Sequence, residues 1–148
     1  MKYVCRSDSG AFEFASYEEY LEQAREPLAA LIHGAELLTI ARFSLSGPES
    51  FHDARFESFL VRLAPSSHGD PVVAAELRLK GPYFDRQFEL HYEDVGSCTF
   101  SAPGPEDDLL IHEIREESGH LVHEFEFDGD KQIAITCRRM RFVEVLAV

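Results

Sequence analysis

The 148-residue chain has no tryptophan and no asparagine, and only three lysines and three cysteines. Cys5, Cys98 and Cys137 are odd in number, far apart and never in a C-x-x-C pair. That argues against a disulfide scaffold and a cysteine-built zinc site. The expectation is buried, reduced thiols of a cytosolic protein. Long apolar runs are also missing. The longest, Leu28 to Ile40, is broken by His33, Gly34 and Glu36, short of the roughly 18 residues of a membrane span. Met1 to Gly10 has no apolar run of signal-peptide kind. A cytoplasmic location is therefore expected. Arginine outnumbers lysine by 11 to 3. With the missing asparagine and tryptophan, this reads as the codon usage of a high-GC bacterium.

Positive charge is scarce. Lys and Arg total 14 against 27 Asp and Glu, a formal net charge of -13. Such a field repels nucleic acid and anionic membranes and attracts cationic partners. Nucleotide-binding and hydrolase templates are missing too: there is no G-x-x-x-x-G-K-[ST], no G-x-G-x-x-G and no G-x-S-x-G. Ser44 to Pro48 reads as a turn. Cys98 stands without a helix start or an adjacent base to activate it. No cofactor is expected.

What is present is hydrophobic periodicity. The chain reads as a single α+β domain over 1–148, with 1–48 mainly a helical cover and 49–148 an antiparallel sheet. Ser16 and Glu19 fit a capping box. Tyr17, Tyr20, Leu21, Ala24, Leu28, Leu31 and Ile32 then form a helical stripe. Pro27 kinks or restarts that helix, and Gly34 is placed to cap it. Residues 36–43 fit helix or strand, with a short helix preferred.

From Phe51 the period becomes two. The candidate strands are Ala54–Leu63, Pro71–Lys80, Phe84–Val95, Leu109–Glu117, His120–Phe127, Lys131–Arg138 and Met140–Leu146. Short connections between them imply a β-meander of about six to seven strands.

The hairpin around Ser118-Gly119 has a readable register. It pairs Glu117 with His120, Ile114 with His123, Glu113 with Glu124 and His112 with Phe125. One face carries Leu110, His112, Ile114, Leu121, His123, Phe125 and Phe127. The other carries Ile111, Glu113, Arg115, Glu117, Val122, Glu124 and Glu126. Residues 106–130 hold ten acids and one base, Arg115. Glu113 opposite Glu124 is a like-charge pair that costs roughly 0.2–1 kcal/mol. It is expected on the solvent face, with no cation on the neighbouring strand to neutralise it. The short basic run Arg138-Arg139-Met140-Arg141 is expected to pair with local acids such as Glu144.

Two constellations stand out. Glu106, Asp107, Asp108, Glu113, Glu117, Glu124 and Glu126 are candidate contacts for a cationic partner, or else a solvated face that maintains solubility. His52, His112 and His123 all fall on apolar faces. Three convergent imidazoles would hold zinc with an open position for water, whereas core histidines satisfied by backbone or tyrosine would not. The spacing lacks H-E-x-x-H, since Glu116 stands four residues after His112.

The segments Ser50-Phe51-His52-Asp53-Ala54-Arg55-Phe56, Phe88 to Val95, Leu110 to Ile114 and Val122 to Phe127 occur in an order with a family likeness. Over residues 50–137 the chain resembles small uncharacterised bacterial proteins in which an H-D-[AS] strand start precedes a β-meander. Some of these look like immunity proteins of polymorphic toxin systems. The resemblance implies a compact, non-catalytic binding protein and carries over no functional residues. The leading expectation is thus a cytoplasmic, immunity-like binder that captures a basic protein on an acidic sheet face. The alternatives are a metal-dependent or small-ligand enzyme using the histidines, and a structural or assembly subunit whose strand edges pair in a homo-oligomer.

Overall fold

The structure, a computed structural model, describes residues 1, 5–6, 12–13, 17–43 and 46–147, with only the backbone at 5–6, 12–13, 17–19, 35–36 and 40. Ser16, the expected helix cap, lies outside the described residues. Two short strands, β1 (Cys5–Arg6) and β2 (Phe12–Glu13), pair antiparallel in a sheet of their own. Helix α1 covers Tyr17–Ala29 with Pro27 in its last turn. The helix stops there, because Pro27 has no N–H to continue the ladder. Leu31 and Ile32, expected on the helical stripe, are not helical. Ile32–His33 is instead strand β3. Gly34, at φ 105°, opens a 3-10 turn over Ala35–Leu38 instead of capping α1. Helix α2 (Ile40–Phe43) follows.

The main sheet holds β4 (Arg55–Ala64), β5 (Val72–Lys80), β6 (Arg86–Phe100), β7 (Leu109–Glu117), β8 (His120–Phe127) and β9 (Lys131–Leu146). With β3 it has seven strands and is antiparallel except at β3, in keeping with an α+β fold. Its order is β4-β5-β6-β9-β8-β7. Two three-stranded meanders are therefore joined through β6 and β9, and β6 does not neighbour β7. The last two expected strands are one 16-residue strand. Arg138 and Arg139, both exposed, interrupt its alternation without ending it. Opposite them β6 is irregular as well, with Asp94 at φ 52° and a register shift between Val95 and Ser97. Where β8 ends, β3 takes its place beside β9 in parallel, pairing Ile32 with Met140.

The sheet curls until its two edge strands meet at one end. Leu109 N–H donates to Ala54 C=O and Asp53 N–H to Leu109 C=O, each at 2.8 Å, and Arg55 bridges Asp108. The interior is filled by Phe51, Phe88, Leu90, Tyr92, Phe125, Phe127, Ile133 and Ile135. Buried Tyr20, Leu21, Ala24 and Leu28 place α1 over this core. The Tyr20 hydroxyl accepts the Ile114 N–H at 2.9 Å and donates to the Ile114 carbonyl. One helix side chain thereby satisfies the outward N–H and C=O of Ile114 on the edge of β7.

Candidate functional site

The register of the β7–β8 hairpin is as the turn chemistry implied, with Ile114 opposite His123 and Glu113 opposite Glu124. Ser118 at φ 51° and Gly119 at φ 82° give both turn residues the left-handed backbone that a two-residue hairpin loop requires. At the other end a register shift between Leu109 and Ile111 changes the phase. Leu109, not Leu110, belongs to the core.

Of the three histidines, two meet. His112 Nδ1 lies 3.1 Å from His123 Nε2, and His123 Nδ1 lies 2.9 Å from the Tyr92 hydroxyl. His112 Nε2 faces the Arg42 carbonyl at 3.4 Å. A carbonyl only accepts, so His112 carries its proton on Nε2 and accepts at Nδ1. His123 must then donate from Nε2 and accept the Tyr92 proton at Nδ1. One chain of donors thus runs from Tyr92 through both rings to Arg42, with both rings neutral. His112 lies between Phe43 and Phe51, with ring centroids at 4.2 and 4.6 Å. Burial drives its pKa down to about 3. Burial, and then the proximity of His112, push His123 well below the ordinary histidine value.

His52 does not join them. Its Nδ1 contacts the Leu110 carbonyl at 2.8 Å and its Nε2 lies 3.5 Å from Asp53. In place of the alternative of three convergent imidazoles there is a buried pair plus one ring at the closed end of the sheet. Among the described residues no group of three or more His, Cys, Asp or Glu is placed to hold a metal ion. Cys137 is a buried free thiol whose pKa burial raises to about 12.

The acidic face also departs from expectation. Glu113 is completely buried, not on the solvent face. Both faces of β7 are covered from Ile111 to Ile114. The like-charge pair is neutralised from its own strand. Arg115, two residues on and so on the same face, reaches Glu113 at 3.0 Å, Glu117 at 2.7 Å and also Glu124. The Met1 amino group is 3.4 Å from Glu124. Glu126 is half-buried and engaged elsewhere. Lys131 holds Asp107 at 2.6 Å, lowering its pKa.

Glu106 and Asp108 behave differently. Both reach for Arg55, at 3.6 and 3.3 Å. Burial raises the pKa of Asp108, Arg55 opposes that rise, and the charges of Asp128 and Asp53 add to it. Glu106 is 87% exposed on its side chain. The closed end of the sheet therefore presents Glu106 and Asp108 on one guanidinium, with the charges of Asp53 and Asp128 bearing on Asp108.

Sequence reasoning missed a second ionic centre. Glu144 bridges the guanidiniums of Arg42 and Arg86. Burial alone would raise its pKa, but these two partners outweigh burial and hold it low. Arg42 is 4% exposed and lies over the Phe88 and Phe142 rings. Of the basic run expected to pair with local acids such as Glu144, Arg138 lies 3.8 Å from Asp94. The Arg115 role had a signal in the sequence, namely the i, i+2 spacing from Glu113. Arg42 and Tyr92 had none beyond their apolar surroundings.

Comparison with protein-family models, with curated proteins and with solved structures gave no significant match.

Proposed function

We propose that this protein is a non-enzymatic binder, of an immunity-like kind, that captures a basic protein on the acidic closed end of its sheet. The observation that carries this reading is the crowding of carboxylates there: Glu106 and Asp108 share the Arg55 guanidinium, and the charges of Asp53 and Asp128 bear on Asp108. Carboxylates left in mutual repulsion are relieved by an incoming cation. That gives electrostatic steering and specificity to a basic partner. Glu113 and Glu124, by contrast, have their charge met by Arg115 and drop out of the contact set. The alternative of a histidine-based enzyme loses its basis, because His112 and His123 are enclosed among aromatic rings and His52 stands apart.

The test is co-expression with the product of the adjoining gene, followed by association measurements over a salt series. The combined variant Asp53→Asn, Glu106→Gln, Asp128→Asn is expected to lose growth protection and to associate more slowly. Added salt should slow the wild type toward the same rate. Equal binding by variant and wild type at every salt concentration would overturn the reading.

A further inference from the structure

We infer that the free edge of β4 is a homodimer interface, in which Ser58–Ala64 pairs antiparallel with the same strand of a second copy. An open sheet has two edges, and here they are treated differently. On the β7 edge the Tyr20 hydroxyl takes the outward N–H and C=O of Ile114. Among the described residues, the β4 edge is engaged at its start, through the Arg55–Asp108 bridge and the Phe56 N–H to Asp107 C=O bond of 3.2 Å. Among the described residues, no strand lies on the outer side of Ser58–Ala64.

Edge strands that remain alone usually carry lysine, proline or inward charges. Over Ser58–Ala64 this one carries a single charge, Arg62, and no proline before Pro65. Leu60, Val61 and Leu63 are 54, 50 and 71% exposed. Phe59 stacks on Phe100, itself 44% exposed, at 5.2 Å.

The register picks out a second copy as the occupant. In antiparallel pairs, opposed side chains share a face. A two-fold axis normal to the sheet must therefore place one residue opposite itself. The free run is bounded by the irregularity between Phe56 and Ser58 and by Pro65. Its centre is Val61. With the axis there, Val61 meets Val61 and Phe59 meets Leu63 of the second copy, a continuous apolar row on one face. On the other face Leu60 lies under the aliphatic stem of Arg62, and Ser58 meets Ala64. No carboxylate enters any of the seven pairs. At a net charge of -13 two copies repel, and they approach at least cost along a stretch without acids, Ser58–Ala64.

The experiment is sedimentation equilibrium of the whole chain from micromolar to near-millimolar concentration, with crosslinking of Val61→Cys and Leu60→Cys variants by a short bismaleimide. A reversible dimer is expected. Val61→Lys should weaken association by about tenfold or more, while its far-ultraviolet dichroism stays that of the wild type. Mass spectrometry should find a crosslink joining position 61 to itself in Val61→Cys, and far less of the equivalent product in Leu60→Cys. A wild type that is monomeric throughout would overturn the inference and leave the edge to a strand of another protein. A dimer that survives Val61→Lys and gives no 61–61 crosslink would overturn it equally.

Discussion

His112 and His123 share a single 3.1 Å hydrogen bond inside the packed core, with no charge on either ring. Adding a proton to either ring would place a charge in an enclosure of aromatic rings, away from the water that would solvate it. The unfolded chain pays no such penalty. Both pKa values are depressed in the folded state, so this contribution is complete above about pH 6.5. It declines as the pH falls toward about 3, because the unfolded chain binds protons that the folded chain refuses. Between pH 6.5 and 5 the two rings together should remove on the order of 2–3 kcal/mol. Urea unfolding at several pH values in that window, above the carboxylate range, should show the decline. A flat profile would contradict the neutral pair.

Tyr92→Phe removes the proton that His123 Nδ1 accepts. A buried acceptor left unmet costs about 1–3 kcal/mol. The loss should appear as a lower denaturation midpoint, with an unchanged m-value showing that the fold is retained.

Arg115→Met should be more damaging. It takes the Arg115 guanidinium from the buried Glu113 carboxylate, and weakening one side of a buried pair costs up to about 3–5 kcal/mol. Glu124→Gln should cost only about 1 kcal/mol, since Arg115 keeps Glu113 and Glu117. A double-mutant cycle on Arg115 and Glu124 should give a clear coupling energy. Thermal melts in which Glu124→Gln is neutral or stabilising would show that Arg115 does not offset the like-charge pair.

Ser118 adopts φ 51° beside Gly119 at φ 82°. Asparagine suits the first position of such a turn better than serine. Ser118→Asn should therefore raise stability by about 0.5 kcal/mol, and Gly119→Val should lower it by about 1 kcal/mol or more. The two melts, read against each other, check the turn without touching the core.

The elements legible in the sequence are those fixed by local chemistry. β7 and β8 run over the residues that alternation and the Ser118-Gly119 turn marked out, and the Glu113–Glu124 pairing follows from them. β9 was split because two adjacent arginines break a period of two. Only β6, with its own irregularity at Asp94, shows that the strand continues. β3 is two residues inside a helix-like pattern and exists through its pairing with β9. The burial of Glu113 was illegible for a similar reason: alternation tells which face a residue occupies, not whether something covers that face. His112 and His123 are placed inward by phase, but their meeting depends on both strands, and His52 shares their kind of face yet sits at the sheet end, where phase says nothing of position.

The junction of β6 with β9 has a kinetic consequence. Each three-stranded meander closes through short turns, whereas the β6–β9 ladder and the β3–β9 pairing join distant parts of the chain. Loop-closure entropy must be spent before those contacts form, and folds rich in such contacts acquire structure slowly. β9 would then be the strand on which assembly waits. Until it arrives, each meander keeps an unpaired edge, Arg86–Phe100 on one and Lys131–Leu146 on the other. Cross-pairing of those edges between molecules is the misfolding route to which this topology is most open.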